Sequence, residues 1–112
     1  MYKTVNIEAG MPTADEAVRR LTYEISAARR DGASGIKIIH GYGSSGVGGR
    51  LRTELRRYLA RQKDTSKIKL FIEGERLSIF DADTRAGFRY CPELRGDSDM
   101  ERYNNGVTVI IL

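Results

Sequence analysis

The chain has 112 residues, of which 40% are apolar and 30% charged, a balance that favours one soluble folded domain and excludes a disordered chain. No apolar run approaches the roughly 18 residues needed to cross a bilayer, and the N-terminus lacks the pattern of a secretory signal, so we expect no membrane partner. The single cysteine, Cys91, cannot form an internal disulfide, and we expect it to be a small, partly buried apolar residue in a reducing cytoplasm. One cysteine and one histidine cannot form a cysteine–histidine metal centre, and we predict no metal and no cofactor.

The net charge of +4 is unevenly distributed along the chain. Residues 15–63 carry eleven Lys or Arg against five Asp or Glu, whereas residues 64–112 carry seven against nine. Fourteen of the 19 basic residues are arginine, whose planar guanidinium can bind two phosphate oxygens at once. A basic half beside a mildly acidic half is typical of nucleic-acid-binding proteins, although it does not identify one alone.

The first part of the chain predicts a strand, a helix and a second strand. Residues 3–8 alternate in polarity and indicate a short strand. Apolar residues at three- and four-residue spacing then predict a helix that begins after Thr13, where a capping box with Glu16 is expected, and ends at about Arg30. Residues 36–39 are too few and too apolar for a helix and predict a buried strand.

The second part of the chain predicts one more helix and two more strands. The core face of that helix is formed by apolar residues at helical spacing, namely Leu51, Leu55, Tyr58 and Leu59. Residues 67–73 and 106–112 indicate the third and fourth strands. Between them, residues 76–80 and 87–91 could pair as a hairpin, and residues 92–105 have the composition of a polar loop.

The order of predicted elements is β-α-β-α-β, followed by an insertion and a last strand. Right-handed crossovers between strands then predict an α/β fold, a two-layer β-α-β-α-β-β sandwich with its helices on one face or divided between the two. We predict a single domain over residues 1–112, with the insertion at about residues 74–105.

The glycine-rich loop between the second strand and the second helix contains the only histidine, His40. Four interpretations remain open. The loop could bind a phosphate through its backbone N–H groups and the helix N-terminus. It could bind a nucleotide, although the GxGxxG match at residues 41–46 has no acidic partner at the usual distance. His40 could be a catalytic acid or base at the carboxyl end of a strand, or the loop could be a plain connection in which His40 bonds a backbone group.

The predicted nucleic-acid-binding residues belong to this loop and to the start of the helix that follows. They are Gly41, Tyr42, Gly43, Ser44, Ser45, Gly46, Gly48, Gly49, Arg50 and Arg52. The aromatic ring of Tyr42 could stack on an unpaired base or fold onto the edge of the sheet. The arginines could bind phosphates or form a solvated helix face, and their density beside the loop favours phosphate binding.

The stretch IIHGYGSSGVGGRLR, residues 38–52, resembles the HGxG motif of Smr (small MutS-related) domains, in which a buried strand ends in His-Gly-x-Gly and a Leu-Arg pair opens the next helix. Glu16-Ala17 is similar to the pair at the start of the family's first helix, and residues 105–112 resemble its final glycine and apolar strand. The resemblance implies a compact α/β fold similar to the C-terminal domain of bacterial translation initiation factor three. It also implies binding of DNA or RNA and, in several members, nicking or endoribonuclease activity.

The first strand departs from the family pattern. Nuclease-active members usually carry a Leu-Asp-Leu-His-Gly motif there, but the positions of its Asp and His are Asn6 and Glu8 in this sequence. Asn6 cannot act as a base, whereas Glu8 could act with His40 in acid–base catalysis if adjacent strand ends bring the two together, or could be an exposed carboxylate. The insertion contributes two further acids, Asp97 and Asp99, that could approach the site.

We therefore expect a domain that binds nucleic acid through the loop and the neighbouring arginines. Two alternatives belong to other classes. One is an endonuclease in which His40 is the general acid or base and Arg50 and Arg52 stabilise the transition state. The other is a protein-interaction module that uses the insertion as its docking surface, and its binding would be insensitive to salt.

Overall fold

In the computed structural model, which describes residues 1–42 and 47–112, four strands and three helices alternate along the chain. The strands are β1 (Tyr2–Asn6), β2 (Gly35–Ile39), β3 (Leu70–Glu73) and β4 (Val107–Ile111). The helices are α1 (Ala14–Arg30), α2 (Val47–Asp64) and α3 (Ala82–Tyr90), and short 3-10 turns span Gly74–Arg76 and Pro92–Gly96. Among the described residues, no helix is both long and apolar enough to span a membrane.

The four strands form one sheet in the order β1-β2-β4-β3. β1 and β2 are parallel, and β4 lies between β2 and β3, antiparallel to both. The carboxyl ends of β1, β2 and β3 therefore meet at one edge of the sheet, beside the start of β4. This carboxyl edge is where open α/β sheets place their binding sites, and it includes His40.

One face of the sheet is covered by α1 and α2. The helices bury Leu21, Ile25, Leu55 and Leu59 against strand residues such as Ile38. The predicted capping box of α1 is confirmed, because the Thr13 hydroxyl accepts from the Glu16 N–H while a Glu16 carboxylate oxygen accepts from the Thr13 N–H. Both amphipathic helices thus lie where their apolar spacing predicted them.

The opposite face is covered by α3, and here the predicted hairpin is wrong. Asp81 caps the helix, with its side chain accepting from the Thr84 N–H at 3.0 Å, and Phe88 of the expected second hairpin strand is buried on the sheet. The stretch predicted as polar loop also contains a helical turn, whose Leu94 is fully buried. The α/β class is confirmed, but the two-layer sandwich gains a third layer of α3 and this turn. Cys91 is buried in the same layer, as expected.

Candidate nucleic-acid interface

His40 directly follows β2, and its imidazole is fully buried. The Nδ1 atom lies 2.7 Å from the carbonyl oxygen of Gly41, and the Nε2 atom lies 2.8 Å from the hydroxyl oxygen of Thr108 in β4. Because a carbonyl oxygen only accepts, Nδ1 carries the proton, and Nε2 accepts from the Thr108 hydroxyl. Both ring nitrogens are therefore engaged inside the protein, one on the loop and one on the neighbouring strand.

The burial of His40 also keeps its imidazole neutral near pH 7. Burial lowers the pKa of the imidazole to about 4, the hydrogen bond to Gly41 opposes this shift, and the positive charges of Arg56 and Arg52 add to it. The ring is consequently neutral near pH 7. A neutral histidine with both nitrogens bonded holds the start of the loop in place, and it can exchange a proton with a substrate only if one of these bonds breaks.

Thr108 continues the hydrogen-bonded chain from His40 to α2. Its hydroxyl oxygen accepts from the Nε atom of Arg56 at 3.0 Å. The other guanidinium nitrogens of Arg56 pair with Glu73 at 3.1 Å and with Glu75 at 2.8 Å. Burial alone would raise the pKa of Glu75, but the hydrogen bonds and charge of Arg56 outweigh it and lower the pKa. The charge of Arg56 is thus neutralised within the protein.

The backbone of the loop is held by Gly106, the residue before β4. Its carbonyl oxygen accepts from the N–H groups of His40 and Gly41, each at 3.0 Å, and its own N–H donates to the Asn104 side chain at 2.9 Å. A Cβ atom at Gly106 would lie only 3.0 Å from the ring of Tyr42. Glycine at this position therefore lets the Tyr42 ring lie directly against the backbone.

A second polar cluster supports the same region from the α3 face. The Nζ atom of Lys37, buried in β2, pairs with Asp97 at 3.0 Å and with Asp99 at 2.7 Å. Asp97 also accepts from the Tyr2 hydroxyl, and Asp99 accepts from the Asn104 amide at 2.9 Å. The two acids of the predicted insertion therefore reach the loop indirectly, through Asn104, and Lys37 compensates one of their two negative charges.

The predicted binding residues are placed as follows. Gly43, Ser44, Ser45 and Gly46 lie outside the described residues. Gly48 and Gly49 belong to the first turn of α2, which begins at Val47, so they are helical and not part of the loop. Tyr42 is exposed, Gly41 and Arg52 are half-buried, and Arg50 is exposed.

Arg50 and Arg52 differ from Arg56 and Arg57 of the same helix in their surroundings. Arg50 lines a cleft of about 500 Å³ together with residues 11–15. Arg56 is paired with two glutamates and Arg57 with one. Within the part of the chain that the structure describes, no carboxylate forms an ion pair with Arg50 or Arg52, and the first turn of α2 contains no acidic residue. The start of α2 therefore carries two arginines without an ion pair, although Asp15 lines the same cleft as Arg50.

Comparison with known families confirms the family that the sequence resembles. Residues 9–76 match the family model described as the Smr domain. The chain belongs to the Smr family. This Smr domain is also similar to the crystal structure of the Smr domain of Thermus thermophilus MutS2, with 23% identity and a TM-score of 0.61 over 98% of this chain and 96% of that chain. At this identity the likeness concerns the fold. A search of curated proteins found no match.

In this Smr domain β1 ends at Asn6, and a turn follows it. The side-chain oxygen of Asn6 accepts from the N–H groups of Glu8 at 3.0 Å and Ala9 at 3.1 Å, so Asn6 stabilises the turn that leaves β1. No cluster of metal-ligating side chains is present within residues 1–42 and 47–112.

Glu8 and His40 follow adjacent strands, as expected, but their side chains are differently placed. The Glu8 N–H donates to the Ile39 carbonyl at 3.3 Å, which brings the two strand ends together. Glu8 is exposed, however, whereas the buried imidazole of His40 bonds Thr108 in β4, on the other side of β2 from β1. Glu75 is the carboxylate whose charge acts on His40. An acid–base pair of His40 and Glu8 stays a prediction, to which these contacts add no support.

The sequence analysis did not predict a role for Thr108 or Arg56, although the sequence around Thr108 is unusual. It is the single polar residue in the last apolar strand, VTVIIL, and a polar side chain in a buried strand requires a hydrogen-bonding partner. Lys37 in the buried strand GIKII shows the same pattern. Arg56 did not stand out, because it is one of five arginines in its helix and its partners come from distant segments.

Proposed function

We propose that this Smr domain is a cytoplasmic nucleic-acid-binding domain that holds phosphates with the loop after β2 and with Arg50 and Arg52. The observation that supports it best is the combination of position and pairing among the arginines of α2. Arg56 and Arg57 pair with glutamates, whereas no carboxylate of the described residues pairs with Arg50, Arg52 or Arg61. Arg61 lies in the last turn of α2, so Arg50 and Arg52 are the two that combine this lack of an ion pair with a place beside the loop. Arginines of this kind beside a glycine-rich stretch are suited to phosphate oxygens.

The contacts of His40 favour binding over cleavage. Its two ring nitrogens bond Gly41 and Thr108, and its backbone N–H donates to the Gly106 carbonyl. These three hydrogen bonds hold the start of the loop in place. We assign it a positioning role. To act as the acid or base in phosphodiester cleavage, His40 would need a ring nitrogen within reach of the substrate. Freeing either nitrogen breaks its buried hydrogen bond to Gly41 or Thr108.

The replacement of both Arg50 and Arg52 by alanine is expected to weaken nucleic-acid binding about tenfold or more near 100 mM salt. The slope of log Kd against log salt concentration should also fall by about 1.5, because each lost phosphate contact removes about 0.7 to 0.9 from it. Labelled single-stranded RNA, single-stranded DNA and duplex DNA should be titrated at four salt concentrations.

The matched control is the double variant Arg29→Ala/Arg30→Ala. It removes the same charge at the end of α1, where the chain lies at the opposite edge of the sheet. An equal loss of affinity in both double variants would show that net charge alone attracts nucleic acid and would contradict the proposed site.

The same titrations test cleavage when they are repeated with and without Mg²⁺. We expect no product from the wild type. Product formation that disappears in Glu8→Gln, a change at an exposed side chain that leaves the core intact, would restore the endonuclease hypothesis and overturn the binding-only proposal. His40→Ala serves as the second variant, with its folding checked by circular dichroism.

A further inference from the structure

A polar cleft of about 500 Å³ lies beside the loop that follows β2. Tyr42 forms one side of it, and residues between 98 and 105 form the rest. The side chains of Tyr42 and Tyr103 are 59% and 71% exposed, although tyrosine rings are usually at least partly buried. Two large aromatic rings thus border one open cleft beside the predicted phosphate-binding residues.

Both tyrosines project from backbone that is held in place. The ring of Tyr42 lies against Gly106, whose missing side chain makes room for it. Tyr103 has a φ angle of 55°, in the left-handed region that a bulky residue rarely adopts. The preceding chain is fixed by Glu101, whose N–H donates to the Leu77 carbonyl at 2.8 Å. Glu101 has a similar φ angle of 64°, so the segment that carries Tyr103 is held in a defined conformation by the surrounding contacts.

The charge of the cleft suits a nucleotide. Asp99 lines it, and its carboxylate accepts from Asn104 and from Lys37, which it shares with Asp97, so its negative charge is compensated in part. Arg102 lines the same cleft, is exposed, and forms no ion pair with the described residues. The cleft therefore combines two aromatic faces, an amide and a guanidinium, which are the groups that stack on bases and bind phosphates.

We propose, on the basis of the proposed function, that Tyr42 and Tyr103 stack on an unpaired base of single-stranded nucleic acid held in this cleft, with Arg102 on the adjoining phosphate. Bases paired within a duplex do not expose their faces, so the cleft selects single strands or the unpaired parts of a structured nucleic acid. Stacking is tolerant of base identity, and we expect little sequence preference from it.

The test compares Tyr103→Ala and Tyr42→Ala with Tyr23→Ala, which removes an equally exposed tyrosine from α1. The probes are a 12-nucleotide single strand that contains one 2-aminopurine, its duplex, and the same strand with an abasic site at that position. Each cleft variant should weaken single-strand binding about 5- to 20-fold while duplex binding changes less than twofold. Tyr103→Phe should retain wild-type affinity, because the ring and not the hydroxyl makes the contact.

Fluorescence gives a second readout, since the chain has no tryptophan and stacking quenches both tyrosine and 2-aminopurine. Quenching in the wild type that is lost in Tyr103→Ala supports the inference. Equal effects of Tyr103→Ala on the single strand, the abasic strand and the duplex would overturn it and leave the proposed function standing. If the wild type binds none of the probes, the inference and the proposed function both fail.

Discussion

Replacement of Arg56 by alanine is expected to lower the free energy of unfolding by about 3 kcal/mol, the cost of removing one partner from a largely buried charged cluster. The guanidinium is only 14% exposed and contacts four groups on two strands and a turn. Without it, Glu73 and Glu75 repel each other, and Thr108 loses its donor. We place the loss at the lower end of the range for buried pairs, because these glutamates are 37% and 35% exposed and water screens them in part. Urea unfolding monitored by circular dichroism measures it.

Arg57→Ala is the matched control, since the neighbouring arginine in α2 is 60% exposed and Glu54 is its one ion-pair partner among the described residues. Its unfolding free energy should change by no more than about 0.5 kcal/mol. Arg56→Lys should fall between the two alanine variants, because lysine retains the charge but cannot reproduce the forked contacts. Equal, small losses for Arg56→Ala and Arg57→Ala would mean that the cluster around Thr108 contributes little to the fold.

Local patterns in the sequence predicted the elements whose structure is decided locally. The capping box and apolar spacing of α1 depend on residues within one helix, and both are confirmed. Buried strands such as β2 are recognisable from a short apolar run between glycines. The conformation of α3 was missed because Gly87, Phe88 and Tyr90 have strand-like or helix-breaking preferences, which packing of Phe88 on the sheet and the cap at Asp81 override.

The contacts of the site lie beyond such patterns, since they join distant segments. His40 bonds a residue 68 positions away, and Lys37 bonds Asp97 at a separation of 60. Gly74 is a further example, because a Cβ atom there would lie 2.1 Å from the Asn104 carbonyl oxygen, a close approach that nothing in the neighbouring sequence indicates. The HGxG pattern thus predicted that His40 follows a buried strand, while the partners that hold His40 depend on the tertiary fold.

The stability of the protein is expected to fall by about 2 kcal/mol as the pH is lowered from 7.5 to 5, through His40 alone. Its folded pKa of about 4 lies below the ordinary value of 6.5. Between these values the unfolded chain binds a proton that the folded protein does not, so the stability is fully present above pH 6.5 and is lost as the pH falls toward 4. Urea unfolding at half-unit pH steps measures this loss. Because His40 is the only histidine, the loss of stability in this pH range can be assigned to one residue.

Two further experiments distinguish the contribution of His40 to this pH dependence from that of the carboxylates, which begin to titrate near pH 5 and below. His40→Asn should show almost no change in unfolding free energy between pH 7.5 and 5.5, whatever its absolute stability. An NMR titration of the His40 ring protons in the wild type should give a pKa near 4. A measured pKa of 6 or more would show that the ring is open to solvent and free to exchange protons. It would thereby favour the catalytic role of His40 over the positioning role that its bonds to Gly41 and Thr108 indicate.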